Sequence, residues 1–286
     1  MQGIFKKKGK VVAKVVGGLG NQLFIYAAAK RLALANNATL KLDVLSGYVN
    51  DKYNRHLCLQ HFNINERIAS PWESYVSVWG HRRRKIERKI NRRIPFRYKS
   101  YIKQKRPYES RLLGLRIVRN LYLQGYWQDE RYFKDIEKVI RDSFVITTPH
   151  DNQNICWAQK ISEVNAVCLH ARRLNYKFVL PTEYYQKAIA YILKHIVNPH
   201  FYCFSDDPEW IKKNFTMDYP FTVLDHNKES RNYEDLWLMT KCKHYIVANS
   251  SFSWWGAWLN PSSDKVVIAP ANWGYDAAVP KGWKTI

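Results

Sequence analysis

Long apolar runs are missing from this chain. No stretch approaches the ~18 residues needed to span a bilayer. The basic N-terminus is followed by an apolar run that is short and ends in Gly17-Gly18, so no signal peptide is evident. Cysteine is scarce and scattered. Cys58, Cys156, Cys168, Cys203 and Cys242 form no CxxC pair, which argues for buried thiols in a reducing compartment and against disulfides or zinc. The histidines are isolated, and Asp206-Asp207 is the only carboxylate pair in a strand-end loop, so no metal site is expected. Internal repeats and low-complexity tracts are absent beyond one basic stretch. A soluble or membrane-peripheral protein is expected.

Acidic residues are few. Lys and Arg number 46 against 24 Asp and Glu, a net charge of +22. Residues His81 to Arg106 carry thirteen Lys/Arg and one acid, Glu87. Such a stripe attracts an anionic membrane leaflet or nucleic acid. Val78, Ile86, Ile90 and Ile94 recur among these charges at helical spacing, which fits a basic amphipathic helix. The alternative is a solvated helix whose apolar stripe packs on the protein body.

What is present suits two cores: 286 residues, 46% hydrophobic and 15% aromatic. Residues 11–16 read as a strand. The loop Gly17-Gly18-Leu19-Gly20-Asn21-Gln22 follows, then an alanine-rich helix over about 23–35 and a strand at 39–43. That order opens a Rossmann-like unit. Residues 48–118 read as helices and insertions. A strand at 121–125 precedes a helix through Ile140. Pro149 to Asn154 is turn-rich and reads as a linker. Five strands then alternate with helices: 166–170, 201–205, 221–224, 244–248 and 265–269. The expected architecture is α/β, with residues 1–150 and 151–286 as two Rossmann-like domains and a basic helical insertion at about 71–118.

Three strand ends of the second half carry polar loops. The first bears His170, Arg172 and Arg173, the second Ser205, Asp206 and Asp207, the third Asn249, Ser250 and Ser251 at a helix start. Ligands of open α/β sheets bind beyond the carboxyl ends of strands. Guanidinium forks suit phosphate oxygens, and a helix N-terminus attracts anions. Together they can hold a diphosphate without metal. Asp235 could accept two hydrogen bonds from a guanine edge. The competing reading for Asp206, Asp207, Ser250 and Ser251 is helix capping. The glycine loop is not GxGxxG in register and has no Walker lysine, so alone it marks only a close backbone approach.

Together these segments resemble the bacterial α-1,2-fucosyltransferases, glycosyltransferase family 11. The resemblance rests on Gly17-Gly18-Leu19-Gly20-Asn21-Gln22-Leu23-Phe24 with Tyr26-Ala27, and on Gly125-Tyr126-Trp127-Gln128-Asp129 with Tyr132-Phe133. Phe204-Ser205-Asp206-Asp207 and the run Asn249-Ser250-Ser251-Phe252-Ser253-Trp254-Trp255-Gly256-Ala257-Trp258-Leu259 complete it. It implies a GT-B-like fold with the active site in the cleft between an N-terminal acceptor domain and a C-terminal donor domain. It implies GDP-β-L-fucose as donor, no metal or other cofactor, and inversion onto the 2-hydroxyl of a terminal galactoside in surface polysaccharide or O-antigen synthesis. The acceptor would be an oligosaccharide or lipid-linked glycan, and the location cytoplasmic or on the inner face of the cytoplasmic membrane.

By likeness to the more distant α-1,6- and protein O-fucosyltransferases, Arg172 would bind the diphosphate. His170 would lie by the guanine, Asp235 would bind the nucleoside and Asn21 would lie near a phosphate. Gly18, Gly20, Gln22, Ser205, Asp206, Asn249, Ser250, Ser251 and Phe252 complete the donor set, with Arg172, Arg173 and Glu183 as catalytic candidates. The family motif HxRRxDY is broken: Leu174-Asn175-Tyr176 stands where Gly-Asp-Tyr is typical. Asn175 cannot act as a base, so Glu183, Asp43 and Asp129 are the candidate bases. A different donor or acceptor in the same fold, a nucleic-acid-binding protein, and a catalytically weak sugar-binding homologue are the rival readings.

Overall fold

In a computed structural model, the described residues are 8–49, 51–117, 120–174, 178–215, 218–273 and 279–286. The chain divides into two compact units, Met1–Val145 and Ile146–Ile286.

The first unit contains β1 (Lys10–Lys14), α1 (Leu19–Ala35), β2 (Thr39–Asp43), β3 (Arg67–Ile68), α2 (Val78–Arg93), β4 (Tyr101–Lys103), β5 (Asn120–Gln124) and α3 (Glu137–Ser143). Its sheet is parallel throughout, in the order β3-β2-β1-β5-β4. The chain therefore changes direction across the sheet between β1 and β5. Val11, Ala13, Leu121 and Leu123 are buried there, the near-continuous apolar pattern of a strand covered on both faces. Two short strands, β3 and β4, lie in the stretch read from sequence as helices and insertions. The helix expected after Gly125 is also shorter. Trp127 sits at φ +56° and Asp129 caps a 3₁₀ turn, accepting from the Arg131 amide, so regular helix starts only at Glu137.

The second unit contains α4 (Asn152–Ser162), β6 (Asn165–Ala171), α5 (Thr182–His195), β7 (Pro199–Ser205), α6 (Pro208–Asn214), β8 (Phe221–Val223), α7 (Asn232–Lys241), β9 (His244–Ile246), α8 (Ser251–Leu259), β10 (Val267–Ala269) and β11 (Lys284–Thr285). The parallel sheet runs β11-β10-β9-β6-β7-β8, the strand order of dinucleotide-binding sheets. Its switch point lies between β6 and β9. Val167, Leu169, Phe201, Cys203, Ile246 and Ile268 form its core with Tyr185 and Ile189 of α5. Trp254, Trp255 and Trp258 are interior rings of α8. A Cβ on Gly256 would lie 3.0 Å from the Met239 Cβ, so glycine there lets α8 approach α7 closely.

Pro149 to Asn154 is not a linker. Asp151 caps α4, its carboxylate accepting from the Asn154 amide at 2.8 Å, and Asn154 is fully buried. Four of the five cysteines are buried and Cys156 is exposed on α4; all are free thiols. Burial pushes the Cys203 thiol up to about 12.

Candidate active site

In the second unit, β6 ends in His170-Ala171 and the chain turns at Arg172. His170 is only 4% exposed, and its Nδ1 has no hydrogen-bond partner among the described residues. Loss of hydration, reinforced by the Arg172 charge, pushes the imidazole down to about 3. It is therefore neutral across the physiological range. Its ring meets Phe252, in the first turn of α8, with centroids 5.8 Å apart.

The neighbouring strand end holds this loop in place. Asp206 accepts from the backbone amides of Arg173 at 2.7 Å and Leu174 at 2.8 Å, and its carboxylate lies 3.3 Å from the Arg172 Nε. Asp207 is the residue that caps α6, accepting from the Trp210 amide, while the Ser205 hydroxyl accepts from the Asp207 amide. The two adjacent aspartates thus divide: one caps, one orients an arginine. The Arg172 side chain keeps 33% of its surface exposed. Arg173 is turned elsewhere. Its guanidinium stacks on Trp210 at 3.9 Å and donates to the Leu180 carbonyl at 2.9 Å, so it ties the chain just before α5 to α6 instead of joining Arg172.

Beyond β9 the chain reaches Asn249, Ser250 and Ser251. Asn249 is buried and donates to the Phe178 carbonyl at 2.7 Å. Ser250 caps α8, accepting from the Phe252 amide at 3.3 Å. Ser251 is half-buried at the first helical position. With no acid in this turn, the α8 N-terminus presents positive potential beside the β6 loop, across the switch point.

Asp235 on α7 is half-buried and accepts from Asn227 Nδ2 at 2.8 Å. Lost hydration is the main force raising its carboxyl to about 7. The Asn227 hydrogen bond opposes that rise and the Glu234 charge adds to it. Asn227 also donates to Asn154 Oδ1, which accepts in turn from His226 Nε2–H at 3.0 Å. This Asn154–Asn227–Asp235 chain was not anticipated. The signal for it was present: Asp225-His226-Asn227 follows β8 just as the other polar loops follow their strands.

In the first unit, Gly17 adopts φ +79° and Gly18 caps α1. The helix starts at Leu19, so Gly20, Asn21 and Gln22 belong to its first turn and not to a loop. Gln22 is fully buried. It donates to the carbonyls of Gly17 and His56, both at 2.9 Å, and accepts from the Cys58 amide at 2.8 Å. Both of its amide protons are thus spent on tying the glycine turn to the chain at residues 56–58. Asn21 accepts from Gln128 Nε2 at 2.6 Å, joining the β1 and β5 strand-end motifs at that sheet's switch point.

Of the base candidates, Asp43 is buried and accepts from the amides of Leu45 and Ser46 and the hydroxyls of Ser46 and Tyr122. Asp129 is buried and paired with Arg131. Both carboxylates are engaged by their own neighbours. Glu183 is exposed in the first turn of α5. Asn175 lies outside the described residues. Among the described residues no group of three His, Cys, Asp or Glu is arranged to hold a metal ion. No helix of the described residues is long and apolar enough to cross a membrane.

Two parallel-sheet Rossmann-like units in one chain, one with an arginine and a helix N-terminus flanking its switch point, make a GT-B-like fold. The glycosyl transferase family 11 model matches residues 10–284. The chain is 34% identical over 283 residues to the Escherichia coli alpha-1,2-colitosyltransferase, covering 92% of both chains. It is 33% identical to the Escherichia coli O-antigen biosynthesis glycosyltransferase WbnK, covering 90% of this chain and 92% of that one. Among solved structures it is similar to the fucosyltransferase NodZ from Bradyrhizobium, with TM-score 0.56 and 14% identity over 89% of this chain and 94% of that one. The chain belongs to glycosyl transferase family 11.

Proposed function

We propose that this glycosyltransferase moves a 6-deoxy-L-sugar, L-fucose in the first instance, from its GDP conjugate to the 2-hydroxyl of a terminal galactoside, in O-antigen synthesis. The observation that carries the reading is the Asp206-oriented Arg172 beside buried His170, whose Nδ1 has no hydrogen-bond partner among the described residues, at the β6–β9 switch point. Arg172 and the α8 N-terminus at Ser250-Ser251 stabilise the diphosphate as its bond to the anomeric carbon breaks. Such preorganised charge acts where charge develops. The acceptor oxygen forms the new bond from the opposite face, inverting the centre, and its proton passes to a base or to solvent. Glu183 is the proposed base, which would add about 10²–10⁴-fold. Asp235 and His170 would recognise the guanine, Asp235 as carboxylate acceptor and His170 through its open Nδ1. No metal is needed for charge neutralisation in this scheme.

The likeness to a colitosyltransferase supports a second donor, GDP-colitose, in the same site. The test is GDP release from each GDP-sugar, with EDTA, with and without lactose and N-acetyllactosamine. Acceptor-stimulated, EDTA-insensitive release from one of the two is the expected result. Release from neither, by protein that binds GDP, overturns the donor assignment.

A further inference from the structure

Helix α2 is seated with its polar side inward. Ser77 caps it, accepting from the Gly80 amide at 3.0 Å. A Cβ on Gly80 would lie 2.7 Å from the Tyr75 backbone, so glycine is what permits the close approach. Glu87 accepts from the Tyr75 hydroxyl. Asn91, 4% exposed, accepts from the amides of Ser100 and Tyr101 at 2.9 and 3.1 Å and donates to the Ser100 hydroxyl at 3.2 Å. These side chains occupy the place that apolar residues take on an ordinary surface helix.

The apolar residues point to solvent instead. Val78 and Trp79 are each 70% exposed, Ile86 59% and Ile90 53%. Trp79, Ile86 and Ile90 recur at i, i+7 and i+11, one line along the helix about 16 Å long. Exposed Arg82, Lys89 and Arg93 form the adjacent line. Trp72, 63% exposed, stands before the helix and stacks on Arg83 at 4.0 Å, while Arg82 lies 5.1 Å from the Trp79 ring. Packing against the protein body, the alternative weighed from sequence, is therefore not what these residues do.

We propose that this face of α2, with Trp72, docks on the surface of an anionic phospholipid bilayer. Exposed tryptophans beside aliphatic residues suit the headgroup–acyl boundary, and the cations suit anionic headgroups. The charge complementarity is one-sided: thirteen cations to one acid over His81–Arg106. Nucleic acid would engage the cations but would give no return for Ile86 and Ile90. A second copy of this face would meet its own charge.

The test is co-sedimentation of the full chain with vesicles of phosphatidylcholine, and of phosphatidylcholine with 30% phosphatidylglycerol, in about 0.1 M salt. Binding to the anionic vesicles alone is expected. Trp79→Ser with Ile86→Ser and Ile90→Ser, which keeps every charge, should lower the vesicle-bound to free ratio at least tenfold with an unchanged circular-dichroism spectrum. No binding to anionic vesicles overturns the proposal. So does equal binding by the triple variant, which would make the attraction a matter of charge alone. So does single-stranded RNA binding that displaces the vesicles and falls equally in the triple variant.

Discussion

Replacing Asp235 by asparagine separates what this carboxyl costs the fold from what it gives a nucleotide. Its displacement from 3.8 to about 7 disfavours the ionised form by about 4 kcal/mol. The sign follows from proton linkage. The folded state binds the proton more tightly than the unfolded chain, so the advantage is full below pH 3.8 and is lost as pH rises through about 7. Asp235→Asn keeps an acceptor for Asn227 and cannot ionise. In urea unfolding, the variant is expected to exceed the parent by up to about 4 kcal/mol at pH 8, shrinking to about 2 at pH 5. GDP affinity is expected to move the other way. Two hydrogen bonds to a charged acceptor are worth about 1.5–3 kcal/mol each, so titration calorimetry should show binding at least ~100-fold weaker at pH 8. Parent affinity should itself fall below pH 7 as Asp235 protonates, and the variant's should not. A pH-independent stability gap refutes the burial argument. Unchanged GDP affinity refutes the nucleoside assignment.

Arg172→Ala should lower transfer about 10²–10³-fold with native stability, measured as turnover of GDP-sugar; near-normal turnover refutes its role. Asp206→Ala should reproduce much of that loss, because the Arg172 loop loses three contacts, whereas Arg173→Ala should register mainly as lost stability in thermal melts. Asn175→Asp should change kcat if this position tunes the site, and an unchanged rate makes it structural. Gly47→Ala should destabilise the first unit by about 1–3 kcal/mol or more, because its Cβ would fall 1.8 Å from the Val15 carbonyl oxygen, a backbone atom that cannot swing aside.

The strands of the second unit were legible because most are buried on both faces and read as unbroken apolar runs, Ala166-Val167-Cys168-Leu169 being the plainest. Arg67-Ile68 and Lys284-Thr285 were not, since both are two-residue exposed edges whose pairing depends on a distant neighbour. Tyr101-Ile102-Lys103 was hidden by the surrounding cations. The helix at α2 was legible from its period, but period fixes which residues share a face and not which face turns inward; Gly80 and Asn91 decide that. At the site, residue types marked where charge would gather. They did not say that Arg173 would turn to Trp210, or that Asp43, Gln22 and Asp129 would be engaged by their own surroundings. Those outcomes depend on long-range partners such as Tyr122 and His56.

The distribution of thiols gives this protein a chemical clock for its own unfolding. Cys156 alone is open to a maleimide in the native state. Cys58 reports on the first unit, and Cys168, Cys203 and Cys242 on the second. Pulsed alkylation followed by intact-mass counting would therefore resolve one added label when the first unit opens and three when the second does. The order in which the two units come apart can be read without introducing a single probe.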